Sequence, residues 1–196
     1  SNWNTEYPFR VGTHEYICVE QYVMEEKAYN FGDSTAAERI RNETNPRIMK
    51  NIGKSIRNYD HQEWLDSVEA VTFKALQAKF NDTQARGARD FLLETGERRI
   101  GESNTDQYWG TGIHHLDPKA LSDWTGRNAM GNMLMEVRRR ILKQVNEGKS
   151  KEGNSDDTKV EPSDEEDISS DESDATIEGN ELDVSDTSFM SLPNPR

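Results

Sequence analysis

Residues 60–80 read DHQEWLDSVEAVTFKALQAKF and hold the clearest helical period in the chain. Trp64, Leu65, Val68, Val71, Ala75, Leu76 and Phe80 fall on one continuous apolar stripe. Asp60, followed three residues later by Glu63, marks the start, so a helix is predicted from about His61 to Phe80. A helix of this length with a single apolar stripe has to lie against a core. The flanking sequence must supply that core.

Toward the N-terminus, Asn45-Pro46 reads as an N-cap followed by an N1 proline, predicting a short helix that closes near Gly53. Thr35-Ala36-Ala37-Glu38 has capping-box spacing and predicts another short helix through Ile40. Before it, Val19 to Phe31 reads as a helix stopped by Gly32, with Glu20, Met24 and Lys27 on one face. Phe9 and Val11, Gly12-Thr13, then Tyr16 and Ile17 have the pattern of a β-hairpin. Toward the C-terminus, a helix is predicted over about Thr83 to Glu94, presenting Ala85, Ala88, Phe91 and Leu92 and ending at Gly96. Arg99-Ile100-Gly101-Glu102 reads as extended. Residues 103–127 lack periodicity and are rich in Gly, Asn, Asp and Trp, which predicts an ordered loop suited to carrying function. The last helix, about Asn128 to Val145, buries Met130, Met133, Leu134, Val137 and Ile141. The fold class is therefore α+β, mostly helical with a small β-sheet, followed by a disordered acidic tail.

Charge divides the chain in two. Residues 147–196 hold 16 acidic and 4 basic side chains and no apolar period, so they read as a disordered Ser/Asp/Glu-rich tail. Residues 1–146, the folded domain, hold 21 acidic and 20 basic residues. A body so close to neutral lacks the electrostatic footprint of a protein that grips duplex DNA through its phosphates, so nucleic acid is not the favoured partner. The tail places Ser163, Ser170 and Ser173 directly before acidic residues, with Ser169 one position further from Asp171, as an acid-directed kinase accepts, and its charge also suits a basic partner. Its plain reading is a solubilising appendage. The one cysteine, Cys18, excludes an internal disulfide and reads as a buried, inert thiol. No apolar run reaches the roughly 18 residues of a membrane span and no signal peptide opens the chain, so an intracellular protein, cytoplasmic or nuclear, is expected.

Two motifs carry the functional information. Asp106-Gln107-Tyr108-Trp109-Gly110-Thr111-Gly112 has the form D-x-x-W-G-x-G, and Gly126, Asn128, Gly131, Leu134, Met135 and Arg138 give G-x-N-x-x-G-x-x-L-M-x-x-R. They follow, in order, Glu20-x-x-x-Met24-x-x-Lys27-Ala28, Trp64, and Lys79-Phe80 with the Thr95-Gly96 helix end. This ordered set resembles the NADAR (YbiA-like) family over roughly Ser1 to Leu142.

The resemblance implies a small α+β fold and hydrolysis of N-glycosides of ribose 5-phosphate or ADP-ribose, without a cofactor. In the YbiA-like branch the substrates are phosphoribosylated intermediates of riboflavin synthesis; other branches remove ADP-ribose from guanine in nucleic acid. It also implies Glu20 as the catalytic glutamate, with site positions at Lys27, Trp64, Asp106 and Trp109, and Gly110 and Asn128 beside them. The chemistry suits these residue types. Breaking an N-glycosidic bond develops oxocarbenium-like charge on the sugar, which a carboxylate stabilises while it orients water. Glu20 and Asp106 would form the carboxylate pair, by analogy with glycoside hydrolysis. Lys27, about 10 Å from Glu20 at ~1.5 Å per residue, would meet a phosphate. An indole would stack on the leaving base.

Each residue also has a structural reading. Glu20 near a helix start complements the helix dipole, Asp106 suits a turn, and the tryptophans suit a core. His114 and His115 have no further ligand at plausible spacing, so no metal site is expected. Three departures stand out. Cys18-Val19 replaces the hydroxyl residue that caps the helix ahead of the family's glutamate. A family segment ahead of Ser1-Asn2-Trp3, expected to supply an edge strand and ligand contacts, is not matched. An insertion containing His114-His115-Leu116-Asp117-Pro118 lies between Gly112 and Gly126. Three functions are thus in play: an N-glycosidase on a small ribose conjugate, a hydrolase freeing ADP-ribose from guanine in nucleic acid, and a non-catalytic ADP-ribose or NAD-binding module.

Overall fold

The computed structural model describes residues 3–119 and 123–152. Its elements run β1 (Phe9–Val11), β2 (His14–Tyr16), α1 (Val19–Asn30), α2 (Ser34–Arg41), α3 (Pro46–Lys54), α4 (His61–Asn81), α5 (Arg86–Glu94) and α6 (Ala129–Glu152). The strands pair antiparallel, with Phe9 opposite Tyr16 and Val11 opposite His14. The domain is mostly helical with one small sheet, as the periodicity predicts.

Helix α1 is the centre of the molecule. It packs on α2, α3 and α4, and Val19 to Glu25, Lys27 and Ala28 are all buried along it. A helix buried on every side cannot leave its polar groups to water. Gln21 shows how that demand is met: its Nε2 donates to the carbonyls of Arg41 (2.9 Å) and Ile40 (3.2 Å), while its Oε1 accepts from the Ile17 N–H (2.9 Å). That last bond also mends the helix start. Cys18 sits at the N-cap with no side-chain cap bond, and Gln21 reaches back across the first turn in its place.

Around α1, the predicted caps hold at two helices. Asp60 accepts from the Glu63 N–H (2.9 Å) to open α4, and Asn45 accepts from the Arg47 N–H (2.9 Å) to open α3. Helix α2 differs from expectation. Its cap is Asp33, which accepts from the Ala36 N–H (3.1 Å) and from the backbone N–H and Nη2 of Arg57 (3.0 and 2.9 Å). Thr35 lies inside the helix, because a carboxylate that also holds a guanidinium outcompetes a hydroxyl two residues later. Helix α5 begins at Arg86 rather than near Thr83. Asp82 spends its carboxylate on the N–H groups of Gln84 (2.8 Å) and Arg10 (2.7 Å), holding the intervening turn out of the helix. Ala85, Ala88 and Leu92 are buried as expected, but Phe91 is 73% exposed.

Helix α6 begins at Ala129 and runs past Val145 to Glu152. Gly148 does not stop it, and a Lys143–Glu147 pair (3.7 Å) one turn apart favours its continuation. The tail expected to be disordered falls, beyond residue 152, outside the described residues. Arg138, nearly buried, ties α6 to the end of α5 by donating to Thr95 Oγ1 (2.5 Å) and the Arg98 carbonyl (2.9 Å). No helix among the described residues is long and apolar enough to cross a membrane.

Candidate active site

Four charged or amide side chains are buried on α1, and three of them are anchored by at least one bond, although Glu25 Oε2 and the buried Tyr22 hydroxyl have no hydrogen-bond partner among the described residues. Gln21 holds backbone carbonyls, Glu25 takes the Arg41 Nε at 2.6 Å, and Lys27 Nζ donates to the Gly53 carbonyl at 2.8 Å. Glu20 is the fourth. It is 1% exposed, and its Oε1 has no hydrogen-bond partner among the described residues. Burial raises its carboxyl to about 7, against the opposing pull of Lys50, the Trp3 indole and Lys27. Such a carboxyl exchanges a proton near neutral pH.

Its surroundings come from three directions. Along α1, Lys27 lies two turns on, its ammonium 3.9 Å from the Tyr59 ring centroid and 5.9 Å from that of Trp64. Desolvation lowers Lys27 to about 8, with Glu20 opposing. Helix α3 closes on α1 at Gly53, where a methyl group would run into the Met24 sulfur, so the glycine permits the approach that lets Lys27 reach its carbonyl. Three residues before Gly53, Lys50 stands 5.5 Å from the Trp3 ring and interacts electrostatically with both Glu20 and Asp106. The N-terminal segment brings Trp3, and buried Lys79 of α4 pins that segment by donating to the Asn4 carbonyl at 3.1 Å.

The third direction is the loop after α5. Asp106 Oδ1 accepts from the N–H groups of Tyr108 (2.8 Å) and Trp109 (2.7 Å), so half of this carboxylate shapes the loop, and its charge is felt at Lys50. Trp109 is 1% exposed and meets Tyr108 edge-on, at 5.4 Å between centroids. Gly110 admits Asn104, whose Oδ1 occupies the space a Cβ would need. Tyr108 donates its hydroxyl to Glu69 of α4, which also takes Arg127 at 2.8 Å. Asn128, at φ 54°, stands where a neighbouring strand would be expected beside the extended stretch: Oδ1 accepts from the Glu102 N–H (2.9 Å) and Nδ2 donates to the Ile100 carbonyl (2.9 Å).

The predicted residues therefore separate. Glu20 and Lys27 interact along α1, Lys27 reaches toward Trp64, and Asp106 is linked to Glu20 only through Lys50, while Trp109, Gly110 and Asn128 build the loop that carries Asp106. Trp64 is 2% exposed, so neither predicted tryptophan offers an open face, whereas Trp3 is only partly buried. Lys50, Trp3 and Tyr59 were not picked out by sequence. A signal existed for Lys50: the Asn45-Pro46 start fixes the phase of α3, and an in-helix glycine at 53 marks a close contact on the same face. His114 and His115 lie against each other, centroids 4.2 Å apart, and no group of three or more potential metal ligands occurs among the described residues. Cys18 is fully buried, and desolvation pushes its thiol up to about 11.

A family model for the NADAR domain matches residues 1–142. The chain belongs to the NADAR family. Among NADAR relatives, Protein irg-1 of Caenorhabditis elegans is 33% identical over 132 residues, covering 65% of this chain and 61% of that protein. The chain thus spans about three fifths of that relative's length. N-glycosidase R617 of Acanthamoeba polyphaga mimivirus is 30% identical over 127 residues (63% of this chain, 74% of that one). N-glycosidase YbiA of Escherichia coli K12 is 29% identical over 136 residues (69% and 76%). The NMR structure of the E. coli protein YbiA is similar at a TM-score of 0.58 and 27% identity, covering 75% of this chain and 79% of that one. The NADAR match takes in every element from the hairpin into α6, and with them Glu20, Lys50 and the loop framed by Asn128.

Proposed function

We propose that this NADAR domain is an N-glycosidase that hydrolyses the bond between ribose and nitrogen in a ribose 5-phosphate or ADP-ribose conjugate. The observation that carries the reading is Glu20, a carboxylate 1% exposed whose Oε1 has no hydrogen-bond partner among the described residues and whose carboxyl is raised by burial to about 7. The names of the R617 and YbiA relatives supply the reaction class.

Glu20, ionised, holds a water molecule against the anomeric carbon and faces the positive charge that develops there. As the C–N bond breaks, its electron pair leaves with the nitrogen. Water oxygen bonds to the anomeric carbon, and the water proton passes to Glu20 and on to the departing nitrogen. The products are the free ribose conjugate and the free base or amine. Asp106 adds a second negative charge at the same locus, and Lys27 keeps Glu20 from being protonated too readily. Trp3, partly open and next to Glu20, suits the leaving base better than the sealed rings of Trp64 and Trp109. Asn128 and Gly110 act through the loop they hold. The weak Cys18 cap, which favoured a non-catalytic module, loses its force because Gln21 secures the same turn.

The test is product release from a panel of ribosylamine 5-phosphate, ADP-ribosyl-guanosine and ADP-ribosylated oligonucleotide substrates. Wild type should release ribose product from at least one, and Glu20→Gln should lower kcat/KM by roughly 10²–10⁴. Equal rates for the two proteins would overturn the mechanism.

A further inference from the structure

We infer that Glu69 of α4, with Tyr108 and Arg127, forms a clamp of positioning residues that orients Asp106 from outside the candidate site. The inference rests on the N-glycosidase reading only for what Asp106 does once it is oriented. Tyr108 is held at every polar atom. Its N–H donates to Asp106 Oδ1 (2.8 Å), its carbonyl accepts from the Ala129 N–H at the start of α6 (3.0 Å), and its hydroxyl donates to Glu69 Oε1. That same Glu69 oxygen takes Arg127 Nη1 at 2.8 Å, and the Arg127 guanidinium lies 4.6 Å from the centre of the Tyr108 ring. The Arg127 N–H donates to the Gln107 carbonyl (2.8 Å), so the triangle closes on the loop as well as on α4.

The direction of the Asp106 carboxylate follows the backbone at 108–109, because the two N–H groups that fix its Oδ1 belong to Tyr108 and Trp109. Trp109 is buried and gives no handle from solvent, whereas the Glu69 and Arg127 side chains are 37% and 55% exposed. An ion pair that open adds little to stability. Its bond to the Tyr108 hydroxyl is charge-assisted and directional, so its effect falls on where Tyr108 points and, through the Tyr108 N–H, on where Asp106 points. The clamp stands at the lip of a groove of about 410 Å³ between α4 and α6. Further along that groove Arg140 pairs with Glu136 (2.7 Å) and lies 4.7 Å from the centre of the Phe73 ring. Arg140 thus repeats the chemistry of Arg127, a guanidinium on a ring beside a carboxylate, on helix residues alone.

Amide hydrogen exchange and steady-state kinetics on the full chain test the clamp together. Glu69→Ala and Tyr108→Phe should each speed exchange of the Tyr108 and Trp109 amides about tenfold, as loss of a bond to a charged group implies, and leave the amides of α1 unchanged. On a substrate that wild type cleaves, each should lower kcat about tenfold and keep KM within about twofold. The double variant should do no more than either single one, because both open the same bond. Glu69→Gln, which keeps an acceptor for the hydroxyl, should recover part of both effects, and Arg140→Ala should produce neither. Unchanged exchange at 108 and 109 removes the clamp, as does a lowered melting temperature with wild-type kcat. Faster exchange with wild-type kcat confines Glu69 to fastening the loop and overturns its role toward Asp106. The full exchange pattern in a protein that cleaves no N-glycoside keeps the clamp and loses the enzymatic reading. Glu20-dependent cleavage at wild-type kcat in both variants does the reverse.

Discussion

Glu20 joins two properties that ordinarily exclude each other: it is 1% exposed and must carry a charge to act. Burial raises its carboxyl to about 7 from an ordinary 4.5. The folded state therefore resists its ionisation, and the stability it contributes is full below pH 4.5 and is lost as pH rises through 7. Glu20→Gln removes that liability. At pH 8 the variant should be more stable than wild type, by at most about 3 kcal/mol, with the gap closing toward pH 4.5. Parallel melting curves at the two pH values check this, and a variant less stable at pH 8 would contradict the assigned burial cost. The same group sets the rate. Log kcat/KM should climb to a bend near pH 7 as Glu20 ionises, then fall beyond about 8 as Lys27 loses its proton. Lys27→Met keeps the packing and removes the cation, so the lower bend should move upward; an unmoved bend would exclude Lys27 as its partner. Glu20 and Lys27 were legible through the ordered motifs that carry the family resemblance, since the sequence of α1 alone offers no apolar stripe to single them out. Lys50 was not, since a lysine on a short helix looks solvated until the Gly53 contact shows which way α3 faces.

At the level of elements, the loop between α5 and α6 is held by backbone bonds from the N–H groups of 125–130 to the carbonyls of 107–111, and by side chains acting as backbone. Asn128 gives both ends of its amide to Ile100 and Glu102 and adopts φ 54° to do so. Asn128→Ala should cost about 2–4 kcal/mol by combining two lost bonds with a left-handed alanine. Asn128→Gly should recover only the strain. Chemical denaturation of both variants measures the split, and a loss under 0.5 kcal/mol for alanine would deny the amide its role. Composition announced an ordered loop here, but no sequence pattern could say that Asn128 reaches back across 26 residues to Glu102. Local rules also misplaced the start of α2. Thr35 satisfied the capping-box spacing, yet Asp33 takes the cap because Arg57, 24 residues away, joins it. Where caps depended only on neighbours, as at Asn45 and Asp60, spacing and structure agree.

For the molecule as a whole, the central fact is a helix buried on all sides within a domain whose charges nearly cancel. The stripe of α4 was sufficient to imply a helical core. It could not reveal that α1, a polar-looking helix, occupies the middle of that core, because Gln21, Glu25 and Lys27 are anchored by partners distant in sequence. The charge balance makes a prediction of its own. At physiological salt the chain should show no more than weak, sequence-independent binding to duplex DNA, with a shallow dependence of log K on log salt. Fluorescence anisotropy with a labelled duplex measures both, and a steep negative slope would reveal a phosphate-reading surface that the 21 acidic and 20 basic residues of the body do not announce.

A loop fastened by the side chains of Asn104, Asp106 and Asn128, and closed where the Thr111 carbonyl takes the N–H groups of Thr125 (3.0 Å) and Gly126 (2.8 Å), is pinned at points and not along paired strands. A sheet that gains or loses one residue turns every following side chain to the wrong face, whereas a knotted loop simply lengthens between its knots. The stretch between Gly112 and Gly126 can therefore grow, shrink or be exchanged in the laboratory while Asp106 stays in place. In lineages that share this scaffold, changes of substrate range should accumulate as insertions and deletions there, with the helices left almost untouched.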